Sequence, residues 1–188
     1  SLKYWVKEYH VDGFRFDLMA IHDITTMNEI RKAMDEIDPT IFIYGEGWTA
    51  GDSPLPYEER AVKQHVGRMP GIAVFSDDIR DGLKGSWANA KEPAFAAGYQ
   101  GYDETIKFSV VAATQHDSIH YGLVKYVNFP YAAEPSQVIN YVSCHDDLCL
   151  VDKINYSSPY GATPLEKRKF NRISQSIVFL SQGVPFIY

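Results

Sequence analysis

Apolar residues along this chain switch between two rhythms. Leu2, Trp5, Val6 and Tyr9 recur at helical steps, so the spacing predicts a helix within residues 1–9. From Val11 to Asp17 the rhythm becomes alternation, with Phe14 and Phe16 on one side and Gly13, Arg15 and Asp17 on the other. Ile24, Met27, Ile30, Met34 and Ile37 then return to three- and four-residue steps. They predict an amphipathic helix opened by a Thr26/Glu29 capping box and stopped by Asp38-Pro39. Ile41 to Tyr44 is a short, almost wholly apolar run, the pattern of a strand buried on both faces of a parallel sheet, and Ile72 to Phe75 repeats it. Ile106, Val110, Val111 and Ala113 mark another helix, and Val138 to Val142 another strand. The last helix is the best signalled: Thr163 caps it, Pro164 suits its first turn, and Glu166 completes a capping box. Its expected buried stripe is Phe170, Ile173, Ile177 and Leu180; Gly183 ends it, and Val184 to Tyr188 opens a final strand.

Strands that alternate with helices imply an α/β fold with a parallel sheet and right-handed crossovers. An open doubly wound sheet and a closed barrel share this periodicity. Three long polar stretches intervene, Gly47 to Gly71, Asp77 to Asp103 and Gln115 to Pro135. Segments that long are functional or disordered. They carry Trp48, Tyr57, Trp87, Tyr99, Tyr102, Tyr121, Tyr126 and Tyr131, too aromatic a set for disorder. A first helix already under way at Ser1 and an apolar run still open at Phe186-Ile187-Tyr188 read as a piece excised from something longer.

Composition narrows the partners. With 188 residues, 45% of them apolar, the chain buries a sizeable core and reads as one domain over 1–188. A net charge of −6 without a basic run argues against nucleic acid or an anionic membrane as partner. No apolar stretch is long enough to span a bilayer. The two cysteines, Cys144 and Cys149, lack companion ligands at zinc-site spacing and read as small buried residues, so no metal site is expected.

Three acids follow predicted strands directly: Asp17, Glu46 after Tyr44-Gly45, and Asp146 after Ser143-Cys144-His145. In a barrel such positions converge on one rim, where active sites form. Adjacent strands lie about 4.8 Å apart. Asp17 and Glu46 can therefore approach the roughly 5–5.5 Å carboxyl separation of a retaining glycosidase. Arg15, two residues before Asp17, shares its face and is expected to keep it ionised and aimed. Glycines on both sides of Glu46 are expected to leave room for a substrate, and the neighbouring Asp17 to raise its pKa, as suits a proton donor. Any one of these acids alone is equally an ordinary turn or ion-pair residue.

The residues also resemble a family. Asp12-Gly13-Phe14-Arg15-Phe16-Asp17-Leu18-Met19 resembles the second conserved segment of the α-amylase family of glycoside hydrolases, in the form seen in pullulanases. Tyr44-Gly45-Glu46-Gly47-Trp48 resembles the third segment, Tyr141 to Asp146 the fourth, and Phe75 to Asp81 a pullulanase segment after strand six. Gln182 to Ile187 looks like the run into strand eight, so the resemblance covers nearly the whole chain.

It implies a partial (β/α)8 TIM barrel covering roughly strands four to eight, and hydrolysis of α-1,6-glucosidic linkages in an α-glucan polysaccharide or oligosaccharide. An α-1,4-acting amylase, another debranching enzyme or a non-catalytic structural fragment is the alternative. The implied roles are Asp17 as nucleophile, Glu46 as acid/base and Asp146 as transition-state stabiliser. Arg15 and His145 become positioning residues, and Trp48 a sugar platform. No organic cofactor is required; calcium occurs in some members of the family, though no EF-hand-like run is present here. The family usually has Asn after its His-Asp, where this chain has Asp147, and the extra carboxylate is expected to raise neighbouring pKa values or alter a sugar contact. The conserved segment of strand three lies outside the chain. Without a closed barrel the isolated piece is expected to be inactive and to self-associate through its open sheet edges.

Overall fold

Each stretch that the sequence predicts as a strand contributes to one parallel sheet in the computed structural model, which describes residues 1–188. The strands are β1 (Gly13–Phe16), β2 (Phe42–Gly45), β3 (Ile72–Phe75), β4 (Val138–Asn140) and β5 (Val184–Pro185). The helices are α1 (Leu2–Tyr9), α2 (Ile24–Asp35), α3 (Asp77–Lys84), α4 (Asp103–Val110), α5 (Leu150–Ser157) and α6 (Pro164–Leu180). The fold is mixed α/β with a parallel five-strand sheet in the order β1-β2-β3-β4-β5. No helix is long and apolar enough to cross a membrane. The chain divides into two compact units, Ser1–Phe75 with Tyr131–Val138, and Ser76–Pro130 with Ile139–Tyr188.

In the first unit, β1 and β2 run in register, Arg15 against Tyr44 and Phe16 against Gly45, and β2 continues onto β3 through Ile43 against Ile72. β3 is buried throughout, as its apolar run demands. β2 is not: Phe42 is exposed and stacks on Tyr44 at a centroid distance of 5.3 Å. Helix α2 is capped by Asp23 rather than opened at Thr26. The Asp23 carboxylate accepts from the Thr26 N–H at 2.7 Å and its hydroxyl at 2.8 Å, placing the start three residues before the expected box. Ile37 falls beyond the helix end. The β2–β3 connection holds only short 3-10 turns, Tyr57–Glu59 and Lys63–Arg68, in place of a crossover α-helix.

In the second unit, β4 and β5 pair through Ile139 against Val184. Ile79, Leu83, Tyr102, Ile106, Leu150, Ile154 and Val178 make the core, with Phe170 and Ile177 packed on it. Two helices appear where the pattern predicts none: α3, inside the long polar stretch from Asp77 to Asp103, and α5. Helix α4 ends at Val110, so Val111 and Ala113 lie past it. Helix α6 begins with the expected capping box, the Glu166 carboxylate accepting from the Thr163 N–H at 2.7 Å. Its buried side differs from the expected stripe. Ser174 and Val178 are buried, whereas Ile173 and Leu180 are exposed.

Candidate active site

The strand register brings Asp17 and Glu46 together. Because Phe16 lies opposite Gly45, the residues one step further along, Asp17 and Glu46, leave neighbouring strands at the same level. Arg15 joins them. One guanidinium nitrogen, Nη1, is ion-paired with Asp17, and Nη2 donates to Glu46 Oε1 at 2.7 Å. The guanidinium carbon also lies 5.7 Å from the centroid of the Phe75 ring, on which a cation is favoured. Arg15 is therefore shared between the two acids rather than dedicated to Asp17.

The two acids differ in setting. The Asp17 side chain is 65% exposed and that of Glu46 only 4%. Glu46 Oε2 accepts from the Leu18 N–H at 2.8 Å. Arg15 and the Leu18 amide thus each hold one oxygen of this buried carboxylate. The Leu18 contact depends on an unusual backbone: Leu18 is left-handed, with φ 45 and ψ 49. For a residue with a Cβ this costs about 1–2 kcal/mol. The strain turns the chain after Asp17 so that an amide faces Glu46. Hydrophobic patterning gives no sign of it, since Leu is a poor residue for that conformation.

The glycines beside Glu46 serve the protein rather than a substrate, contrary to the expectation from sequence. A Cβ on Gly45 would lie 2.7 Å from the Phe16 carbonyl oxygen and 2.9 Å from Met19 Cβ. On Gly47 it would lie 2.5 Å from the Lys63 nitrogen. Both spaces are filled by neighbouring chain. Trp48 follows directly and is half-buried.

His145 and Asp146 lie in the second unit, on the loop that follows β4. Both are more than half exposed, with His145 Nε2 3.2 Å from Asp146 Oδ1. Beneath them Tyr141 is buried and accepts a hydrogen bond from Arg80 Nη1 at 2.8 Å. Arg80 also grips Asp81 with two nitrogens, at 2.6 and 3.1 Å. Burial pushes the Tyr141 phenol well above its ordinary range, against the opposing pull of Arg80. Asp147, the residue at which the chain departs from the family pattern, turns inward to an ion pair with Lys84 at 2.9 Å. Its extra charge is thus matched by a buried cation, which a one-dimensional pattern does not reveal.

Cys144, His145 and Asp146 bring a thiol, an imidazole and a carboxylate within 4.8 Å of one another. Burial pushes the Cys144 thiol up, which disfavours the thiolate that a metal would need.

No family model matches the chain. Over 185 residues, 98% of this chain, it is 36% identical to the pullulanase of Bacillus subtilis (strain 168), of which it covers 24%. The crystal structure of apo pullulanase from Paenibacillus barengoltzii matches 98% of this chain with a TM-score of 0.87 and 44% identity, over 27% of that enzyme. The same enzyme in complex with maltohexaose and alpha-cyclodextrin matches with the same TM-score and identity over the same shares of both chains. The chain thus spans about a quarter of these relatives, and over nearly its whole length it is homologous to pullulanases.

Proposed function

We propose that this chain is part of a glycosidase that hydrolyses α-1,6-glucosidic linkages in pullulan or branched α-glucans, and that its strands form part of a (β/α)8 barrel. The observation that carries the reading is the single guanidinium of Arg15 linking Asp17 and Glu46 at the ends of adjacent parallel strands. Such a link holds two carboxylates within a few ångströms, the arrangement of a retaining pair with its separation of roughly 5–5.5 Å. Homology to pullulanases, one of them crystallised with maltohexaose, supports an α-glucan as the substrate.

The exposed, cation-held Asp17 attacks the anomeric carbon as Glu46 protonates the leaving glycosidic oxygen. Glu46 then takes a proton from the incoming water, and water releases the sugar from Asp17 with retained configuration. Arg15 keeps both carboxylates aimed, and its charge offsets their repulsion. By resemblance Asp146 stabilises the oxocarbenium-like transition state, His145 positions the sugar, and Trp48 offers a ring for stacking. The reaction requires no organic cofactor.

In the full protein that carries this chain, Asp17→Asn removes the nucleophile while keeping its shape. The expected result is loss of pullulan hydrolysis with an unchanged circular dichroism spectrum. Near-normal turnover by that variant refutes the assignment. Faster cleavage of linear amylose than of pullulan by the parent protein refutes the α-1,6 specificity.

A further inference from the structure

We propose that Lys84 is a positioning residue for Asp146, acting through Asp147 and the backbone that follows it. The inference rests on the reading of Asp146 as a group that acts on the substrate, and it concerns what holds that group in place.

Lys84 closes α3 and its side chain has no exposed surface. A lysine ammonium is rarely buried without a partner, because desolvating it is costly. Here the ammonium is committed entirely to the loop that carries Asp146. Nζ is ion-paired with Asp147 Oδ2 at 2.9 Å and donates to the Leu148 carbonyl at 2.8 Å. The other carboxylate oxygen of Asp147 accepts from the Leu148 N–H at 2.6 Å. One cation therefore fixes both the side chain and the backbone of the two residues that follow Asp146. The base of the loop is closed separately, by the Leu150 N–H donating to the Ser143 hydroxyl at 2.8 Å. His145 and Asp146 are left as the outward tip, 52% and 57% exposed, on a stem held from beneath.

The nearby cation Lys153 does not replace Lys84. It is also buried, but its Nζ donates to the Ser86 carbonyl at 2.7 Å and to the Asn89 carbonyl. The position next to Asp146, where the resemblance leads one to expect Asn, is thus occupied by an acid whose counter-charge lies on helix α3. Exchanging one member of this pair without the other leaves either a buried charge unmatched or a loop unanchored.

The test is a set of variants in the full protein: Lys84→Met, Asp147→Asn, both together, and Asp146→Asn. It uses kcat and KM on pullulan, with the folded fraction from near-UV circular dichroism. Misplacing a reacting group by about 1 Å costs up to roughly a hundredfold in rate. Lys84→Met is therefore expected to lower kcat per folded molecule by about 10- to 100-fold while KM changes less than about threefold. Adding Asp147→Asn removes the unmatched carboxylate and is expected to recover at least about half of that loss on a logarithmic scale. A purely structural Lys84 would lower the melting temperature and leave kcat per folded molecule intact, and that result overturns the proposal.

If Lys84→Met does not fold, Lys84→Arg decides. A fall of about tenfold in kcat at unchanged KM and melting temperature upholds the role, and an unchanged kcat overturns it. Asp146→Asn separates the two readings. If it is inactive while Lys84→Met is normal, only the positioning role fails; if it is itself normal, both fail.

Discussion

Gly47→Ala probes whether the glycines around Glu46 make room for a sugar or for the protein. The added Cβ would sit 2.5 Å from the Lys63 nitrogen, 2.7 Å from its Cα and 2.7 Å from its Cβ. Ordinary carbon contacts lie at about 3.5–4.0 Å, so roughly 1 Å of separation has to be found. No rotamer change supplies it, since the atoms met are backbone and Cβ of a buried residue. The two segments are also tied by the Lys63 N–H donating to the Gly47 carbonyl at 2.9 Å, and moving apart breaks that bond. Overpacking of this kind costs about 1–3 kcal/mol. The lost hydrogen bond adds about 1 kcal/mol, giving a total of roughly 2–4 kcal/mol. With a urea dependence of about 1–3 kcal/mol per molar, the unfolding midpoint should fall by roughly 0.7–4 M. The assay is equilibrium urea unfolding of the full protein alongside KM for pullulan. If the glycine instead existed for substrate approach, the midpoint would hold and KM would rise. An unchanged midpoint, with or without that rise, refutes the packing account.

Two further outcomes are expected. Hydrogen bonds from the Thr26 N–H and hydroxyl hold the Asp23 carboxyl below its ordinary value of 3.8. A depressed folded-state value means that the stabilisation is complete above about pH 4 and is lost as pH falls through the folded value. Asp23→Ala should therefore cost about 1 kcal/mol at neutral pH, with the gap closing below pH 4 in acid-unfolding curves followed by circular dichroism. A gap that persists undiminished to about pH 2 contradicts this. The isolated 188-residue polypeptide has β1 and β5 as sheet edges. Unpaired edge strands invite pairing with other chains, so size-exclusion chromatography should show concentration-dependent association, and a clean monomer at all concentrations is the opposite result.

Legibility in the sequence followed from where polarity and burial agree. The start of α6 was readable because Thr163, Pro164 and Glu166 give three independent signals within one turn. Strand β3 was readable because an apolar run of four fits only the interior. Helix α3 was not, because its buried residues include Asp78, Arg80, Asp81 and Lys84. A periodicity search assumes that charged residues face water, and here they face partners. The cap of α2 was misplaced for a different reason. Asp23-Thr26 and Thr26-Glu29 both carry capping chemistry at the same spacing, and only the backbone at Asp23, extended with ψ 161, decides between them. In α6, Ser174 took an interior position because its hydroxyl bonds back to the Phe170 carbonyl at 3.1 Å, which satisfies the group locally.

The candidate site shows the same division at closer range. Arg15 and Asp17 are two residues apart, so their meeting is a local property that strand alternation predicts. That Arg15 also reaches Glu46 depends on register, Phe16 opposite Gly45, which no spacing within either segment specifies. The turn that brings the Leu18 amide to Glu46 needs a left-handed leucine, a conformation disfavoured for that residue and held by its surroundings. Lys84 and Asp147 lie further apart in sequence than any of these, and their pairing depends on where the fold places the end of α3 beside the loop after β4. Within each unit, pairs more distant in sequence thus depend on tertiary placement rather than local geometry. The three acids stand out in the sequence because each is a carboxylate placed just after a predicted strand. The groups that the fold places near them, a shared arginine at Asp17 and Glu46, a left-handed Leu18 amide at Glu46 and a buried lysine at Asp147 beside Asp146, stand out less, because many residue types and positions can make such contacts and only the folded chain selects among them.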